Sequence, residues 1–228
     1  MSKCEQCIVR QLNSLKELSK DELVRISACK TGTLVKRGEV LFDEGEHING
    51  IFCIRDGVCK VSKMSSNGKD QIIKLIKKGD LIGERSLVSN EASNLKAVAI
   101  NDMEVCFIPK EEIMKDLKNN SNFTMSILND LASALKQSDN VVVDMAQKTV
   151  KQRLAETLAY LHDSFDQKEN GALDIQLSRE DIANIIGTAT ESAIRLLSGF
   201  KKEKLIHLKG KEIFILDIKK LKSLSEGF

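Results

Sequence analysis

The most specific fold signal in this chain lies at residues 177–216, which read LSREDIANIIGTATESAIRLLSGFKKEKLIHLKGKEIFIL. Ser178 and Asp181 have the spacing of a capping box, and an apolar run follows them as far as Gly187. Thr188 with Glu191 predicts a second capped helix. Its expected buried face consists of Ala193, Leu196, Leu197 and Phe200. Two short helices joined by a tight turn are typical of a helix-turn-helix.

The outer side of the second predicted helix carries side chains suited to the major groove of DNA. A guanidinium such as Arg195 donates twice to guanine, and a carboxylate such as Glu191 accepts from cytosine. Both residues also have local alternatives, because Glu191 fits the cap and Arg195 fits an i,i+4 pair with Glu191. Beyond this helix, LIHL and EIFIL flank a Lys-Gly-Lys turn and predict a basic wing. The predicted DNA-contacting residues are Ser178, Arg179, Thr188, Thr190, Glu191, Arg195, Ser198, Lys201, Lys209 and Lys211.

The charge distribution agrees with a DNA-binding segment. From Arg195 to Lys222 there are nine Lys or Arg and three Asp or Glu, so this segment carries +6 and the remainder −4 of a net +2. A local basic stripe is the footprint of phosphate-backbone binding. Taken alone, the charge fits a solvated lysine-rich surface equally well.

Residues 31–109 read as a block of short strands. It is punctuated by Gly38, Gly45, Gly57, Gly68, Gly79 and Gly83. Between them lie β-rich runs such as GIFCI, VCKVSKM and QIIKLI. Asp56-Gly57 and Asn67-Gly68 predict two-residue hairpin turns. Strands at this spacing predict an all-β sandwich or barrel.

Helices are predicted on both sides of the β-block. Before it, Ser19 to Ser27 begins with a capping box of Ser19 and Glu22. After it, a helix over about 120–146 carries a 4,3,4,3,4 stripe made of Ile127, Leu131, Ala134, Ser138, Val141 and Met145. Such spacing favours a partner helix and hence a homodimer, although the stripe could instead pack on its own β-domain. A further helix, from Val150 to Phe165, ends in a loop over 166–172.

The composition is that of an ordinary globular protein, with 42% hydrophobic and 30% charged residues. The sequence contains no apolar run long enough to cross a bilayer and no apolar secretory signal near its start. We therefore expect a cytoplasmic protein without a membrane partner. In that compartment its six cysteines are free thiols or metal ligands rather than disulfides.

A glycine-punctuated β-block, a long helix and a C-terminal winged helix-turn-helix resemble the CRP/FNR family. The resemblance covers nearly the whole chain, and Glu191 and Arg195 match the E-x-x-x-R motif of its DNA-reading helix. It implies an α+β fold with an N-terminal double-stranded β-helix (jelly-roll, cyclic-nucleotide-binding-like) sensor. The expected domains are residues 1–115 for the sensor, 116–146 for the dimerisation helix and 147–228 for DNA binding.

The resemblance also implies a regulator of transcription rather than an enzyme. Its expected partners are palindromic double-stranded DNA with TGA-like half-sites, a second copy of the chain, and RNA polymerase. In the oxygen-sensing branch a serine precedes the motif arginine, whereas this chain has Ile194 there. That departure leaves the outer bases of the half-site open.

Cyclic-nucleotide members of the family carry Gly-Glu followed about ten residues later by Arg-Ser. This chain has Gly83 and Glu84, but Asn94 and Leu95 stand at the later positions, and Lys96 is a crude substitute for the arginine. A phosphate needs a cationic or amide-rich cradle. Nucleotide binding is therefore disfavoured, and Gly83-Glu84 is interpreted as a conformational turn or a vestigial cassette.

The oxygen-sensing branch holds an iron–sulfur cluster on C-x2-C-x5-C near the N-terminus and on one cysteine of the β-domain. Cys4 and Cys7 match the first two positions, Asn13 replaces the third, and Cys106 matches the distant one. Thiolates are the ligands of such clusters. The missing ligand is left open among a carboxylate, water and Cys29.

Three alternatives remain at this point. The same fold could respond to a cyclic nucleotide or another small molecule, or it could need no effector. From a different class, Cys4 and Cys7 could serve a thiol redox protein, but the sequence offers no catalytic constellation beside them. A further possibility is that Cys53, Cys59 and Cys106 are ordinary buried strand thiols.

Overall fold

The computed structural model describes residues 3–66 and 68–227. Three short 3₁₀ turns come first, at Cys4–Gln6, Ile8–Leu12 and Ser14–Glu17. The elements that follow are, in chain order, α1 (Lys20–Cys29), β1 (Thr31–Val35), β2 (Val40–Phe42), β3 (Gly50–Asp56), β4 (Val58–Met64), β5 (Asp70–Lys77), β6 (Leu81–Ile82), α2 (Glu84–Ser89), β7 (Lys96–Ala99), β8 (Met103–Pro109), α3 (Lys110–Asn119), α4 (Ser121–Gln147), α5 (Val150–Ser164), α6 (Arg179–Ile186), α7 (Thr190–Lys202), β9 (Ile206–Lys209), β10 (Glu212–Ile215) and α8 (Ile218–Ser225). The chain forms two compact units, residues 1–63 with 73–136 and residues 64–72 with 137–228.

Two four-stranded sheets build the β-domain, which lies in the first unit except for the last residue of β4 and the first three residues of β5. Their strand orders are β1-β8-β3-β6 and β2-β7-β4-β5. Neighbouring strands run antiparallel, as in the β3–β8 pair. Ile54 and Val105 from one sheet and Cys59 and Ile76 from the other share one apolar core. This is the β-sandwich of the predicted jelly roll.

The Asp56-Gly57 pair does not form the predicted hairpin. β3 and β4, on either side of it, lie in different sheets, so the chain turns a corner there. Gly57 has a φ of +87°, and a Cβ at this position would lie 2.6 Å from the Asp102 carbonyl oxygen. Close approach of two backbones therefore requires this glycine. β4 and β5 are neighbours in one sheet, but Asn67, half of the second predicted turn, lies outside the described residues.

The N-terminal turns pack against the β-domain and are tied to two helices. Cys4, Val9 and Leu15 are buried in a core that also contains residues of β3 and β8. Both hydrogen bonds of the predicted capping box at Ser19 are present at the start of α1. α1 is paired with α3 through Arg25 Nε and a Glu112 carboxylate oxygen, 3.1 Å apart. This anchoring fixes the cysteine-bearing segment beside the sheet.

The first part of the stripe predicted on the long helix α4 packs inside its own unit and does not face solvent. Ile127 is only 3% exposed and packs in the core of its own unit, with Leu131 partly buried against the same core. A different apolar stripe is exposed, consisting of Met125, Leu128, Leu135 and Val142. The prediction that Ile127 and Leu131 face a partner is therefore wrong for the first half of the helix. They stabilise the sensor domain instead.

The second unit contains a helical domain with a small wing. α5 begins at a capping box formed by Thr149 and Gln152. Leu154, Leu158, Ala183, Leu197 and Phe200 of α5, α6 and α7 are fully or almost fully buried. Antiparallel β9 and β10 pair Lys209 with Glu212, which leaves a two-residue turn between the strands. Of the helices described, none combines the length and the apolar character that a membrane span requires.

Candidate functional site

The helix-turn-helix is built from local signals that the sequence displays. Ser178 accepts from the backbone N–H of Asp181, and the Asp181 carboxylate accepts from the backbone N–H of Ser178, which completes the predicted capping box of α6. Gly187 ends α6 in the left-handed conformation, at a φ of 64°. The second predicted capping box is wrong, because the N-cap of α7 is Ala189 and makes no side-chain cap. Thr188 instead donates its backbone N–H to the Ala183 carbonyl oxygen at 3.0 Å and so belongs to the turn.

The outer face of α7 presents a set of polar side chains to solvent. Ala193, Leu197 and Phe200 anchor the helix in the core. At the spacings i, i+4 and i+7, Glu191, Arg195 and Ser198 share an exposed face. The remaining predicted contact residues are Lys201, Lys209 and Lys211, all exposed, and Thr188 and Thr190, both half-buried.

The capping box and the Glu191–Arg195 ion pair were the local alternatives to DNA contact for these two residues. Because Thr188 does not cap α7, the carboxylate of Glu191 has no capping box to complete. Arg195 Nη2 donates to Ser192 Oγ at 3.3 Å, within its own helix. This exposed single contact is weak enough for a DNA base to replace. Ser192 is a neighbour that the sequence reasoning did not single out.

Two of the predicted DNA-contacting residues have structural tasks. The Ser178 hydroxyl donates to the Asp181 carboxylate at 2.7 Å, so the cap engages it. Arg179 Nη2 donates to the carbonyl oxygen of Gly210 at 2.8 Å and connects α6 to the turn of the wing. Burial lowers the pKa of Arg179. Arg179 therefore positions the wing, which carries Lys209 and Lys211 on either side of Gly210.

The vestigial nucleotide cassette forms a compact turn. Gly83 has a φ of 105° and is the N-cap of α2. Oε2 of Glu84 is buried and has no hydrogen-bond partner among the described residues, and burial raises the pKa of this carboxyl to about 7. Asn94 accepts a hydrogen bond from Arg85, and the Leu95 N–H donates to Ser93 Oγ at 3.2 Å. Asn94 and Leu95 are thus bonded to Arg85 and Ser93, whereas the Glu84 carboxyl is buried without a partner among the described residues.

The N-terminal cysteines lie beside the predicted distant one. One pocket is lined by Cys4, Cys7, Cys53 and Cys106 together with Arg10, Lys30 and Arg55. The backbone N–H of Cys4 donates to Ser27 Oγ at 3.1 Å, which holds the first turn on α1. The structure therefore brings together all three predicted ligands and adds Cys53, which sequence reasoning had left among ordinary strand thiols.

Two thiols of this pocket, those of Cys53 and Cys106, have raised pKa values. Burial, followed by the neighbouring Cys106 thiol, raises the pKa of Cys53 to about 12. Burial also raises the pKa of Cys106, although the charges of Lys30 and Arg55 oppose this rise. A thiol redox catalyst needs a lowered pKa, so these two thiols do not suit that chemistry. A metal removes the protons from such groups when it binds them.

The donor set of the pocket fits an iron–sulfur cluster. Within the described part of the chain, no three His, Cys, Asp or Glu side chains are arranged to hold a single metal ion. A four-iron cluster would not need the thiols to meet at one ion, because each of the four thiolates would bind a separate iron. The cavity measures about 20 Å³, room for one water molecule. A cluster would be larger than this cavity, so residues around the cavity would have to move to make room for it.

The partners of Cys53 were hidden from sequence reasoning. Cys53 and Cys106 are directly opposite each other on β3 and β8. Only the strand order reveals that pairing, since β8 lies far from β3 along the chain. The cationic residues Arg10, Lys30 and Arg55 have no spacing signal either. Their proximity is a property of the packed domain.

Comparisons with known proteins agree with both halves of the structure. The family model described as a cyclic nucleotide-binding domain matches residues 33–120. The model described as a Crp-like helix-turn-helix domain matches residues 152–224. FixK2 from Bradyrhizobium japonicum is similar in fold, with a TM-score of 0.78 and 21% identity over 86% of this chain and 96% of that one.

Two relatives resemble this chain along almost its full length. The transcriptional activator protein Anr of Pseudomonas protegens is 27% identical, over 97% of this chain and 89% of its own. The fumarate and nitrate reduction regulatory protein of Vibrio cholerae is 28% identical, over 97% and 90% respectively. With the helix-turn-helix, the jelly roll and the long helix between them, these matches establish that the chain belongs to the CRP/FNR family of DNA-binding transcription regulators.

Proposed function

We propose that this regulator acts as a homodimer on a palindrome with TGA-like half-sites and responds to an oxygen- or redox-sensitive iron–sulfur cluster. The exposed face of α7, with Glu191 and Arg195 one helical turn apart, is the observation that carries the DNA-reading role. Arg195 would donate to guanine and Glu191 would accept from cytosine. Lys201 and the wing lysines would contact phosphates and set the register on the duplex.

The exposed stripe of α4 supports the homodimer. Met125, Leu128 and Leu135 are each about half exposed or more, an unusual cost for large apolar side chains on one helix face. With Ala132 between them they follow the 3,4,3 spacing of a two-helix seam. A palindrome has two half-sites about 34 Å apart, which two recognition helices would occupy. Regulation would then proceed through RNA polymerase bound nearby.

Cys4, Cys7 and Cys106 would hold the cluster. When bound, the cluster supplies a redox-sensitive centre, and its gain or loss would shift the N-terminal turns. We place the protein with the chromosome in the cytoplasm, and we assign it no catalytic activity of its own, in keeping with the named relatives. A cyclic nucleotide is disfavoured as effector because Asn94 and Leu95 are already engaged by Arg85 and Ser93.

A short chain of contacts connects the cysteine segment to α4. Ser14 Oγ lies 2.7 Å from Ser126 Oγ and also donates to the Asp130 carboxylate. Asn120, just before α4, donates its side-chain amide to the Glu17 carbonyl oxygen at 3.1 Å. A displacement of the segment would therefore act directly on α4. Two helix positions with different dimer geometries would be biased by the cluster state.

Binding to defined duplexes tests the DNA-reading role. Full-length protein, purified without oxygen, is titrated against a labelled palindrome with TGA half-sites and against a scrambled duplex of the same length and composition. We expect an affinity ratio of at least about 10³ at a fixed physiological salt concentration. Equal affinity for the two duplexes would contradict sequence-specific binding.

A further inference from the structure

The cysteine pocket contains one more thiol than the three predicted ligands. Cys53 on β3 is directly opposite Cys106 on β8, in an antiparallel pair where facing Cβ atoms lie about 4.5–5.5 Å apart. Both side chains line the same pocket as Cys4 and Cys7. Cys53 is 5% exposed, so solvent competes little for its sulfur. The strand pairing places this thiol on the same side of the sheet as a predicted ligand.

The side chain of Asn13 contacts the sulfur of Cys53. Asn13 Nδ2 donates to Cys53 Sγ at 3.5 Å and to the Gly79 carbonyl oxygen at 2.8 Å. Asn13 Oδ1 also accepts from the Leu15 N–H at 3.0 Å, which fixes the orientation of the amide. The residue that stands where a third N-terminal cysteine is expected thus touches the sulfur of Cys53. A thiol is already present at the spot that the sequence pattern leaves without one.

The charges around the pocket suit a set of four thiolates. Arg10, Lys30 and Arg55 line it together with the cysteines. The Nε atoms of Arg10 and Arg55 are buried and have no hydrogen-bond partner among the described residues. Thiolates and cluster sulfides are acceptors for such donors. A cluster with four thiolate ligands is anionic, and nearby guanidinium groups would offset that charge.

The other cysteines of the chain are placed differently. Cys29, which sequence reasoning left as an option, does not line the pocket, and its thiol donates to the Arg25 and Ile26 carbonyl oxygens of its own helix. Cys59 is fully buried in the core between the two sheets. These two residues therefore serve as controls.

We propose that Cys53 supplies the fourth thiolate of the cluster, taking the place of the cysteine absent at position 13. The inference rests on the proposed cluster at Cys4, Cys7 and Cys106. Each of the four thiols would lose its proton on binding a separate iron. Two ligands then come from the N-terminal turns and two from facing strands of the sheet. This division lets the turns leave while the strands stay in place.

The test compares full-length variants made and reconstituted without oxygen from ferrous iron and sulfide. The set consists of wild type, Cys53→Ser, Cys53→Ala, Cys29→Ser, Cys59→Ser and the double variant Cys53→Ser with Asn13→Cys. Iron, acid-labile sulfide and visible absorption are measured per chain, and circular dichroism checks folding. Wild type, Cys29→Ser and Cys59→Ser should each carry about four irons.

Both Cys53 variants should either fail to acquire the cluster or lose it in air at least about tenfold faster than wild type does. The double variant should recover it, because Asn13 lies next to the sulfur that serine removes. Cys53 variants with wild-type cluster content and lifetime would overturn the assignment and leave the proposed cluster standing. Failure of wild type to acquire iron and sulfide would overturn both. If serine at position 53 prevents folding, the Cys53→Ala variant decides the outcome.

Discussion

Single side chains on α7 and in the cysteine pocket carry the proposed activities, and their surroundings determine what each can do. Arg195 is exposed and bound only weakly within its helix, whereas Arg179 is held against the wing. Cys53 shares a pocket with three other cysteines, while Cys59 is enclosed by apolar core. The same residue types therefore perform different tasks at different positions.

Arg195→Ala should weaken binding to the TGA palindrome by about 1–3 kcal/mol and weaken binding to scrambled DNA much less. Lys201→Ala should weaken binding to the two duplexes by the same amount, because it removes a phosphate contact. The slope of log affinity against log salt concentration should become shallower by about one. Fluorescence anisotropy at several salt concentrations measures both effects. Lys118→Ala, at an exposed lysine of α3, is the control. Equal losses on the two duplexes for Arg195→Ala would remove its base-reading role.

Glu84→Gln should change how stability depends on pH. Burial raises the pKa of this carboxyl from 4.5 to about 7, so the folded state holds the proton more tightly than the unfolded chain. Stability should therefore fall as pH rises across that window, by up to about 3 kcal/mol. The glutamine variant should lack this fall and be the more stable protein at pH about 8. Urea unfolding at several pH values measures the free energy of unfolding, and Glu91→Gln, at an exposed position, is the control. The same pH dependence of that free energy in the Glu84→Gln variant and in wild type would contradict the prediction.

At the scale of elements, α4 and the N-terminal turns determine how a local change spreads. α4 carries one apolar stripe in its own domain and another in solvent. The turns hold two of the proposed ligands and contact α4 through Ser14. Under the proposed function, a displacement of the turns would therefore reach α4 directly, without intervening residues.

Leu135→Glu should shift the protein from dimer to monomer, because Leu135 is 64% exposed and lies on the solvent-facing stripe. Operator affinity should fall with it, since one recognition helix reaches one half-site. Gln137→Glu, on the opposite side of α4, should leave assembly unchanged. Light scattering coupled to size exclusion gives the mass directly. A Leu135→Glu protein that remains dimeric would place the dimer contact elsewhere.

Ser14→Ala should uncouple the cluster from DNA binding while leaving the iron and sulfide content unchanged. It removes the contacts that tie the N-terminal turns to Ser126 and Asp130. The ratio of operator affinities with and without the cluster should fall from about tenfold to about twofold. Exposed Ser133→Ala is the matched control on α4. An unchanged ratio in the Ser14 variant would show that the signal takes another route.

Elements governed by neighbouring residues could be predicted from the sequence. The capping boxes at Ser19 and Ser178 and the glycine stop at Gly187 depend on residues a few positions apart. The face of α4 could not be predicted, because both of its stripes have a/d spacing and only the packed domain shows which is buried. The Asp56-Gly57 corner and the Cys53–Cys106 pair could not be predicted from the sequence either, since each depends on strand order.

In the whole molecule, one unit contains the jelly roll, the other contains the winged helix-turn-helix, and α4 contributes residues to both. The sensor gathers four thiols from three parts of the chain, and the other unit exposes the recognition face. Under the proposed function, the state of the four thiols would control the recognition face. Reciprocity of coupling means that operator DNA should in turn favour the cluster-loaded form.

The most direct measurement follows operator affinity and cluster content in one sample. Anaerobic protein is titrated with the labelled palindrome, exposed to air for increasing times, and titrated again while visible absorption and acid-labile sulfide are recorded. If the cluster controls DNA binding, operator affinity should fall by at least about tenfold in step with the loss of colour and sulfide. Affinity that stays constant while the cluster disappears, or protein that never acquires one, would contradict it.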